Sequence, residues 1–215
     1  MTFGTELTHN IGMKFNKHLK TTICLLTLIT SPSAMTKIID NLDNQRVQWI
    51  PFSDQVMGGV SEVNFLEKEE GGLSYYHMEG KVSTENNGGF IQFRAEVGLE
   101  DNGYEGLKIK TRGNGEEYYL FIRTTKTRLP WLYYGSSFIA SEEWKWIEIP
   151  FSSFEKSDGR FSRFLPEEFD IETIKSIGVV AYGKDFYANI DVCLLYTSDA
   201  ADEGLGVDLG GRRII

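Results

Sequence analysis

Side chains that could catalyse a reaction are scarce between residues 35 and 192. His77 is the only histidine there, and its segment LSYYHME has no serine, cysteine or aspartate at the spacing of a catalytic triad. The acidic pairs Glu116–Glu117, Glu142–Glu143 and Glu167–Glu168 raise the question of a glycosidase, whose two carboxylates flank one sugar bond. Neighbours on a strand point to opposite faces, so adjacent carboxylates do not flank one bond, although acids from separate strands could. We therefore expect a protein that is not an enzyme.

Residues typical of metal and cofactor sites are also few. The 215 residues include three histidines and two cysteines, which argues against a large protein-built metal site. The stretch Gly113-Asn114-Gly115 is too short to cradle a phosphate, and no helical pattern follows it. A hairpin turn explains these three residues fully. We expect neither a metal nor a cofactor.

Two glycine-rich stretches stand out, SDQVMGGVSE at 53–62 and GKVSTENNGGFIQFR at 80–94. Their paired glycines, Gly58–Gly59 and Gly88–Gly89, allow positive φ angles and close backbone approach. Small polar residues that can cap or bridge backbone groups accompany them: Asp54, Ser61, Ser83, Asn86 and Asn87. Either these are demanding turns that satisfy each other's backbones, or they form a polar loop surface that binds a partner or ligand. Chemistry alone favours the first interpretation.

An aromatic stretch offers a different kind of binding site. Trp131, Tyr133 and Tyr134 lie close together in the sequence. Trp131 and Tyr133 could stack on sugar rings, but aromatic residues at alternate positions more often belong to a core. We keep sugar stacking at Trp131 and Tyr133 as the less favoured interpretation.

The composition indicates one globular domain. Hydrophobic residues make up 41% of the chain, and 31 Asp and Glu against 22 Lys and Arg give a net charge of −9. An acidic balance argues against a nucleic-acid partner, because clustered Lys and Arg drive such binding. No apolar run approaches the roughly 20 residues that a stable membrane span needs.

The first 34 residues have the order of a secretory signal peptide. Lys14, Lys17 and Lys20 precede a short apolar run from Thr21 to Thr30, and small or turn-forming residues follow up to Ala34. We expect translation to start at Met13, with residues 1–12 an over-extended reading frame, and the mature protein to be periplasmic or secreted. The alternative is a start at Met35 and a cytoplasmic protein.

The other end differs from the rest of the chain. From Cys193 it reads CLLYTSDAADEGLGVDLGGRRII, which resembles no protein family and looks like the translation of a transposase-type sequencing adapter. We therefore predict a domain over 35–192 and a non-native tail over 193–215, with a natural flexible tail as the alternative. Both cysteines, Cys24 and Cys193, fall outside the predicted domain.

Between these ends the sequence predicts strands. Short segments alternate apolar and polar residues and are rich in aromatic and β-branched side chains, which is the strand pattern: RVQWIP, SEVNFLE, GFIQFRAEV, EGLKIKTR, EEYYLFIRT, WKWIEIP, IGVVAYG and FYANIDV. Turn-forming stretches such as EKEEGG, ENNGG and RGNGEE separate them. About ten such strands need two covered sheets, so we predict an all-β antiparallel sandwich, most simply a jelly roll.

The glycine-rich motifs also carry a family resemblance. A pattern D-x-x-M-G-G-x-S is present as Asp54, Met57, Gly58, Gly59 and Ser61. A second pattern, S-x-E-N-x-G-G-F, is present as Ser83, Glu85, Asn86, Gly88, Gly89 and Phe90, and W-x-x-I-x-I-P-F-x-x-F follows at 144–154. With these motifs in order, the region from Ile38 to Val192 resembles the complex I intermediate-associated protein family, the thirty-kilodalton assembly factors.

The resemblance implies a galactose-binding-like jelly roll and an accessory, chaperone-like role in the assembly of respiratory complex I. It implies no catalytic residues. Our first hypothesis is a non-enzymatic binding or assembly module that recognises a protein partner or ligand through the glycine-rich loops, by Asp54, Met57, Gly58, Gly59, Ser61, Ser83, Glu85, Asn86, Asn87, Gly88 and Gly89. The alternative is an exported carbohydrate-binding protein that uses Trp131 and Tyr133.

Overall fold

The computed structural model describes residues 36–42, 47–100, 103–158 and 161–199. Within them the chain forms β-strands joined by turns and short 3-10 helices, so the predicted all-β class is confirmed. The strands are β1 (Ile38–Asp40), β2 (Trp49–Ser53), β3 (Asn64–Glu70), β4 (Leu73–Val82), β5 (Phe90–Glu96), β6 (Tyr104–Gly113), β7 (Glu117–Thr124), β8 (Tyr134–Ile139), β9 (Lys145–Pro150), β10 (Glu155–Lys156), β11 (Ile174–Tyr182) and β12 (Phe186–Asp199).

The strands form two sheets of six strands each. The first sheet has the order β3-β4-β12-β6-β9, with β1 also paired to β12, and the second has the order β10-β8-β7-β11-β5-β2. The pairings within both sheets are antiparallel. This arrangement confirms the predicted antiparallel sandwich.

The core lies between the sheets and follows the alternation in the sequence. On β7, Tyr118, Leu120 and Ile122 are fully buried in the core. Tyr119 and Arg123, at the alternate positions, are only partly buried. A strand sends successive side chains to opposite faces, so one period-2 pattern supplies both a core face and an outer face. Full burial of each large apolar side chain contributes roughly 1.5–3 kcal/mol.

The stretch Gly113-Asn114-Gly115 does not form the predicted hairpin. It connects β6 of the first sheet to β7 of the second, so the strands on either side of it do not pair. Its backbone instead bonds to other segments, with N–H groups of Gly113 and Gly115 donating to the carbonyls of Ser141 and Ala140. The prediction was wrong because turn residues specify a change of chain direction, not the strand that is joined next.

The last strand crosses the domain boundary predicted at Val192. Residues after Val192 continue β12, and Leu195 and Thr197 are buried in it. Cys193 is buried there as well, and burial raises the pKa of its thiol to about 11, which keeps the sulfur protonated and unreactive. The adapter origin of 193–215 stays a prediction, and the predicted signal peptide over 1–34 lies outside the described residues.

Candidate functional site

The two glycine-rich stretches form neighbouring loops, here named loop 1 (53–61) and loop 2 (83–90). Loop 1 follows β2 and contains a short 3-10 helix, Asp54–Met57. Ser53 caps this helix by accepting a hydrogen bond from the Gln55 N–H, and Gly58, at a φ of 92°, ends it in the left-handed region. That conformation suits glycine, which has no Cβ to clash with the backbone.

The Asp54 carboxylate joins the two loops. Its side chain is fully buried. From loop 1, Ser61 donates its N–H to Asp54 Oδ1 at 2.9 Å and its Oγ–H to Oδ2 at 2.5 Å. From loop 2, the N–H groups of Gly89 and Phe90 donate to Oδ2 at 2.6 and 3.2 Å. A buried carboxylate that accepts several hydrogen bonds is stable in its charged form.

Two serines add a second link between the loops. Ser61 Oγ accepts the N–H of Ser83 at 2.9 Å, and both serine side chains are buried. Gln55 supports the same arrangement from loop 1, because its side-chain amide donates to the Ser61 carbonyl at 2.9 Å. We name the set Asp54, Gly59, Ser61, Ser83, Gly88 and Gly89 the loop junction; Gly59 and Gly88 are partly buried and the other four are buried.

Gly59 and Gly88 are needed because Asp54 lies against both of them. A Cβ on Gly59 would lie 2.3 Å from the Asp54 carboxyl, and a Cβ on Gly88 would lie 2.4 Å from Oδ2. Real Cβ atoms do not approach other heavy atoms so closely, so only glycine fits at either position. The junction therefore supports the interpretation that these turns satisfy each other's backbones.

The other predicted residues of the two loops remain exposed. Met57 is 60% exposed, and its neighbours Val56 and Val60 are 73% and 42% exposed. On loop 2, Asn86 and Asn87 both adopt positive φ angles and face solvent with Glu85. We name these exposed residues the loop tip: Val56, Met57, Val60, Glu85, Asn86 and Asn87. The sequence analysis missed Val56 and Val60, although their place beside the paired glycines was visible.

A second candidate binding surface, formed by aromatic side chains, lies on the outer face of the second sheet. Four aromatic rings meet there, the aromatic cluster Tyr119, Phe121, Tyr133 and Tyr182. Tyr133 stacks on Phe121 with a centroid distance of 3.8 Å, and Tyr182 packs edge-on against Tyr119 and Phe121. Burial and the neighbouring Tyr182 raise the pKa of Tyr133, so its hydroxyl stays protonated.

The two residues predicted to stack on sugars are therefore placed differently. Tyr133 is half-buried within the aromatic cluster, whereas Trp131 is 51% exposed in the loop before β8. Tyr119, Phe121 and Tyr182 were missed as candidates. The signal for the first two was the alternation in EEYYLFIRT, which separates Tyr119 and Phe121 from the buried face.

His77 belongs to a charged network on the outer face of the first sheet. Its Nδ1 lies 2.6 Å from Asp191 Oδ1, and its Nε2 lies 3.4 Å from Glu79 Oε2. Arg112 bridges the same Asp191 to Glu70, with both contacts at 2.7 Å. Asp191 is the cross-strand partner of His77, Glu79 lies two residues further along the same strand, and the buried Nε2 of His77 makes no hydrogen bond.

Within the part of the chain that the structure describes, no group of three or more His, Cys, Asp and Glu side chains is arranged to hold a metal ion. Over the same residues, no helix has the length and apolar character required to cross a membrane.

Comparison with protein families gives a match over most of the chain. The family model of complex I intermediate-associated protein 30 matches residues 40–191, which confirms the predicted family. Comparison with curated proteins gives no match.

Solved structures with a similar fold include carbohydrate-binding modules. The family 11 module of cellulosomal cellulase Lic26A-Cel5E of Clostridium thermocellum is 16% identical, has a TM-score of 0.64, and covers 78% of this chain and 96% of its own. A family 11 module from the same organism, in complex with a β-1,3-1,4-mixed-linked tetrasaccharide, is 17% identical and has a TM-score of 0.64. It covers 79% of this chain and 98% of its own. The family 30 module of the cellulosomal cellulase Cel9D-Cel44B of Clostridium thermocellum is 11% identical and has a TM-score of 0.54. It covers 77% of this chain and 99% of its own. These likenesses show the fold, and the predicted galactose-binding-like jelly roll is confirmed.

The loop junction predicts which glycines tolerate a methyl group. Gly59→Ala and Gly88→Ala should each lower the free energy of unfolding by about 1–3 kcal/mol, because the new Cβ would displace the Asp54 carboxylate. Urea denaturation measures this loss. Gly98→Ala is the matched control, since a Cβ there has open space around it and its φ is not positive. Equal stability of all three variants would contradict the close packing of Asp54.

The Asp54 carboxylate also predicts a pH dependence. Burial by itself raises the pKa of Asp54, but the hydrogen bonds from Ser61, Gly89 and Phe90 outweigh burial and lower it below the ordinary value. A lowered pKa in the folded state adds stability that is fully present above about pH 4 and is lost as pH falls through the folded value.

Asp54→Asn should therefore cost roughly 2–4 kcal/mol at pH 7, because an amide NH₂ would oppose backbone donors. The difference in the free energy of unfolding between Asp54→Asn and the unmodified protein should be smaller at pH 3 than at pH 7. Urea denaturation at both pH values measures this difference. A difference in unfolding free energy that is the same at pH 7 and pH 3 would show that the charge of Asp54 does not stabilise the fold.

Proposed function

The chain belongs to the complex I intermediate-associated protein 30 family, and from that membership we propose that it is a non-enzymatic module that binds a protein partner during assembly of respiratory complex I. The observation that carries the proposal is the loop tip. Val56 and Met57 are the two most exposed members of its apolar part, and they lie on a 3-10 helix anchored by the buried Asp54. Large apolar side chains held in solvent at one place are typical of protein-binding surfaces.

Anchoring also favours binding. A loop that is ordered before it meets its partner loses less conformational entropy on association than a flexible one. Hydrogen bonds to Asp54 and Ser61 order loops 1 and 2, so the loop tip is held in place before any partner arrives. The buried residues of the motif then act as the support, and the exposed residues make the contact.

The reactive groups of the described residues support a non-enzymatic role. The buried Asp54 carboxylate accepts four hydrogen bonds from backbone and serine donors, and the buried His77 ring contacts Asp191 through Nδ1. The Cys193 thiol is buried and protonated. General acid–base or nucleophilic catalysis needs a group that can reach a substrate, and these three side chains are buried.

A second candidate function is binding of a carbohydrate on the outer face of the second sheet. The observation that favours it is the aromatic cluster, in which Tyr182 is 41% exposed and Gln92 and Arg94 lie on the same face. Tyrosine rings offer an apolar surface with a polar edge, which suits a sugar ring. The predicted export signal agrees with this candidate, because an exported protein would not reach a partner inside the cell.

The loop tip can be tested by removing its apolar character. The double variant Val56→Gln and Met57→Gln should keep the unfolding midpoint, because both side chains are exposed, and should reduce recovery of complex I subunits at least tenfold. The measurement is affinity capture from the native host with quantitative detection of complex I subunits. Leu66→Gln is the matched control, an exposed apolar residue on β3 that is 45% exposed.

Recovery of complex I subunits with the double variant at the level of the unmodified protein would show that the loop tip is not the contact. Capture that brings down no complex I subunit with either protein would overturn the assembly role. Cell fractionation adds an independent check, since periplasmic recovery of a mature protein without residues 1–34 would favour the carbohydrate candidate.

The carbohydrate candidate predicts a different sensitive residue. Binding of a neutral β-1,3-1,4-linked tetrasaccharide should weaken at least tenfold in Tyr182→Ala, about 1.4 kcal/mol or more, with the fold retained. Isothermal titration calorimetry measures the affinity. Tyr187→Ala is the control, because Tyr187 is 57% exposed but lies on β12 of the other sheet. Unchanged affinity in Tyr182→Ala would remove the aromatic cluster as a sugar site, and loss only in Trp131→Ala would move the site to the loop before β8.

A further inference from the structure

A basic cavity lies at one end of the outer face of the second sheet. Its volume is about 320 Å³. Four cationic side chains and one carboxylate contribute to its lining: Arg94, Arg123, Arg128, Lys175 and Glu96. This concentration of positive charge contrasts with the net charge of −9 of the whole chain. Basic residues gathered in a concave site of an acidic protein indicate a binding site for a negative group.

The pairing of three strands brings these cations together. Arg94 on β5 and Phe121 on β7 both pair with Gly178 of the central strand β11. Arg123, two residues after Phe121 on the same face of β7, pairs with Ser176, which is also opposite Glu96. Gly178 and Ser176 carry little side-chain volume between the longer side chains of β5 and β7, and the Gln92 side chain extends over Gly178.

The cations of this cavity lack carboxylate partners at close range. Within the described ranges, none of the four forms an ion pair shorter than 4.0 Å with Asp or Glu, including Glu96. Arg123 instead donates to the carbonyls of Thr127 and Leu129 at 3.2 and 2.8 Å, which orients its guanidinium without neutralising it. Arg94 lies over the Phe52 ring, 4.9 Å from its centroid.

The two arginines repel each other. Arg123 is half-buried, and burial lowers its pKa, while the positive charge of Arg94 lowers it further. An anion bound in the cavity that both arginines line would offset this repulsion. The free cavity therefore carries an electrostatic cost that a bound carboxylate or sulfate relieves.

The basic cavity is continuous with the aromatic cluster. Tyr119, Phe121 and Arg123 are successive residues on the outer face of β7, so the strand leads from the aromatic rings directly into the cavity. On β5, Gln92 and Arg94 follow each other in the same way. A ligand that lies along this face meets a stacking surface first and a positively charged pocket next.

We propose that the basic cavity binds the anionic substituent of an acidic glycan, a carboxylate or a sulfate ester, whose sugar rings lie on the adjacent aromatic cluster. This inference rests on the carbohydrate candidate function and names its substrate class. The guanidinium groups of Arg94 and Arg123 are shaped for the oxygens of such a substituent, and Lys175 and Arg128 add charge at the exposed rim.

The test compares oligosaccharides of equal length by isothermal titration calorimetry on the full chain. A neutral β-glucan, a uronic-acid oligosaccharide and a sulfated oligosaccharide are the probes, with inorganic phosphate and a poly-glutamate peptide alongside. At least one acidic oligosaccharide should bind tenfold or more tightly than the neutral one at low salt, and the advantage should shrink as salt screens the charges. Whichever acidic oligosaccharide binds more tightly identifies the substituent as a carboxylate or a sulfate ester.

Exposed rim residues give the variants, because Arg123 also holds two carbonyls and its replacement could disturb the fold. Lys175→Gln and Arg128→Gln should each reduce the affinity for the acidic oligosaccharide about fivefold and leave the neutral one unchanged. Lys68→Gln, an exposed lysine on β3 of the first sheet, is the matched control and should change neither affinity.

Equal affinity for neutral and acidic oligosaccharides would overturn the basic cavity as an anion site and leave the carbohydrate candidate standing. Absence of binding to every oligosaccharide would overturn both. Phosphate or poly-glutamate binding as tightly as the acidic oligosaccharides would also overturn the inference, by identifying a free anion or an acidic peptide as the ligand.

Discussion

The buried carboxylate of Asp54 is the interaction on which the arrangement of the glycine-rich loops depends. It accepts hydrogen bonds from both loops, through Ser61 on one side and the backbone of Gly89 and Phe90 on the other. A buried charge is tolerated only when its lone pairs are occupied, so the loops and the carboxylate require each other. The absence of side chains at Gly59 and Gly88 follows directly from the space that this carboxylate takes.

This arrangement divides the family motif between support and contact. Asp54, Ser61 and Ser83 are buried and occupied with one another, whereas Met57 and Asn86 face solvent. The buried, hydrogen-bonded residues of the motif therefore hold the loops in place. The exposed residues lie where a partner could reach them. Binding through such a surface would need no movement of the support beneath it.

The outer face of the second sheet differs from the loop tip in its surface chemistry. Its central strand, β11, presents Gly178 and Val180 outward between longer side chains of β5 and β7. Small residues in the middle and long aromatic or basic residues at the sides produce a surface with depth, which a flat sheet does not have. In the two proposals the loop tip contacts a protein partner and this face contacts an extended ligand, so the two functions can be tested separately.

The sequence alone was sufficient for the all-β class, the two-sheet sandwich and the family, because strand alternation and the motif around Asp54 are local patterns. It also separated Tyr119, Phe121 and Arg123 from the buried face of their strand. Which strands pair with each other was decided only in the tertiary structure. Local patterns do not state which strands pair. The crossing at Gly113-Asn114-Gly115, the continuation of β12 past Val192 and the placement of Arg94 and Arg123 in one cavity were therefore not visible in the sequence. Contacts between residues far apart in the chain depend on the register of the whole sheet, and that register is a property of the folded molecule.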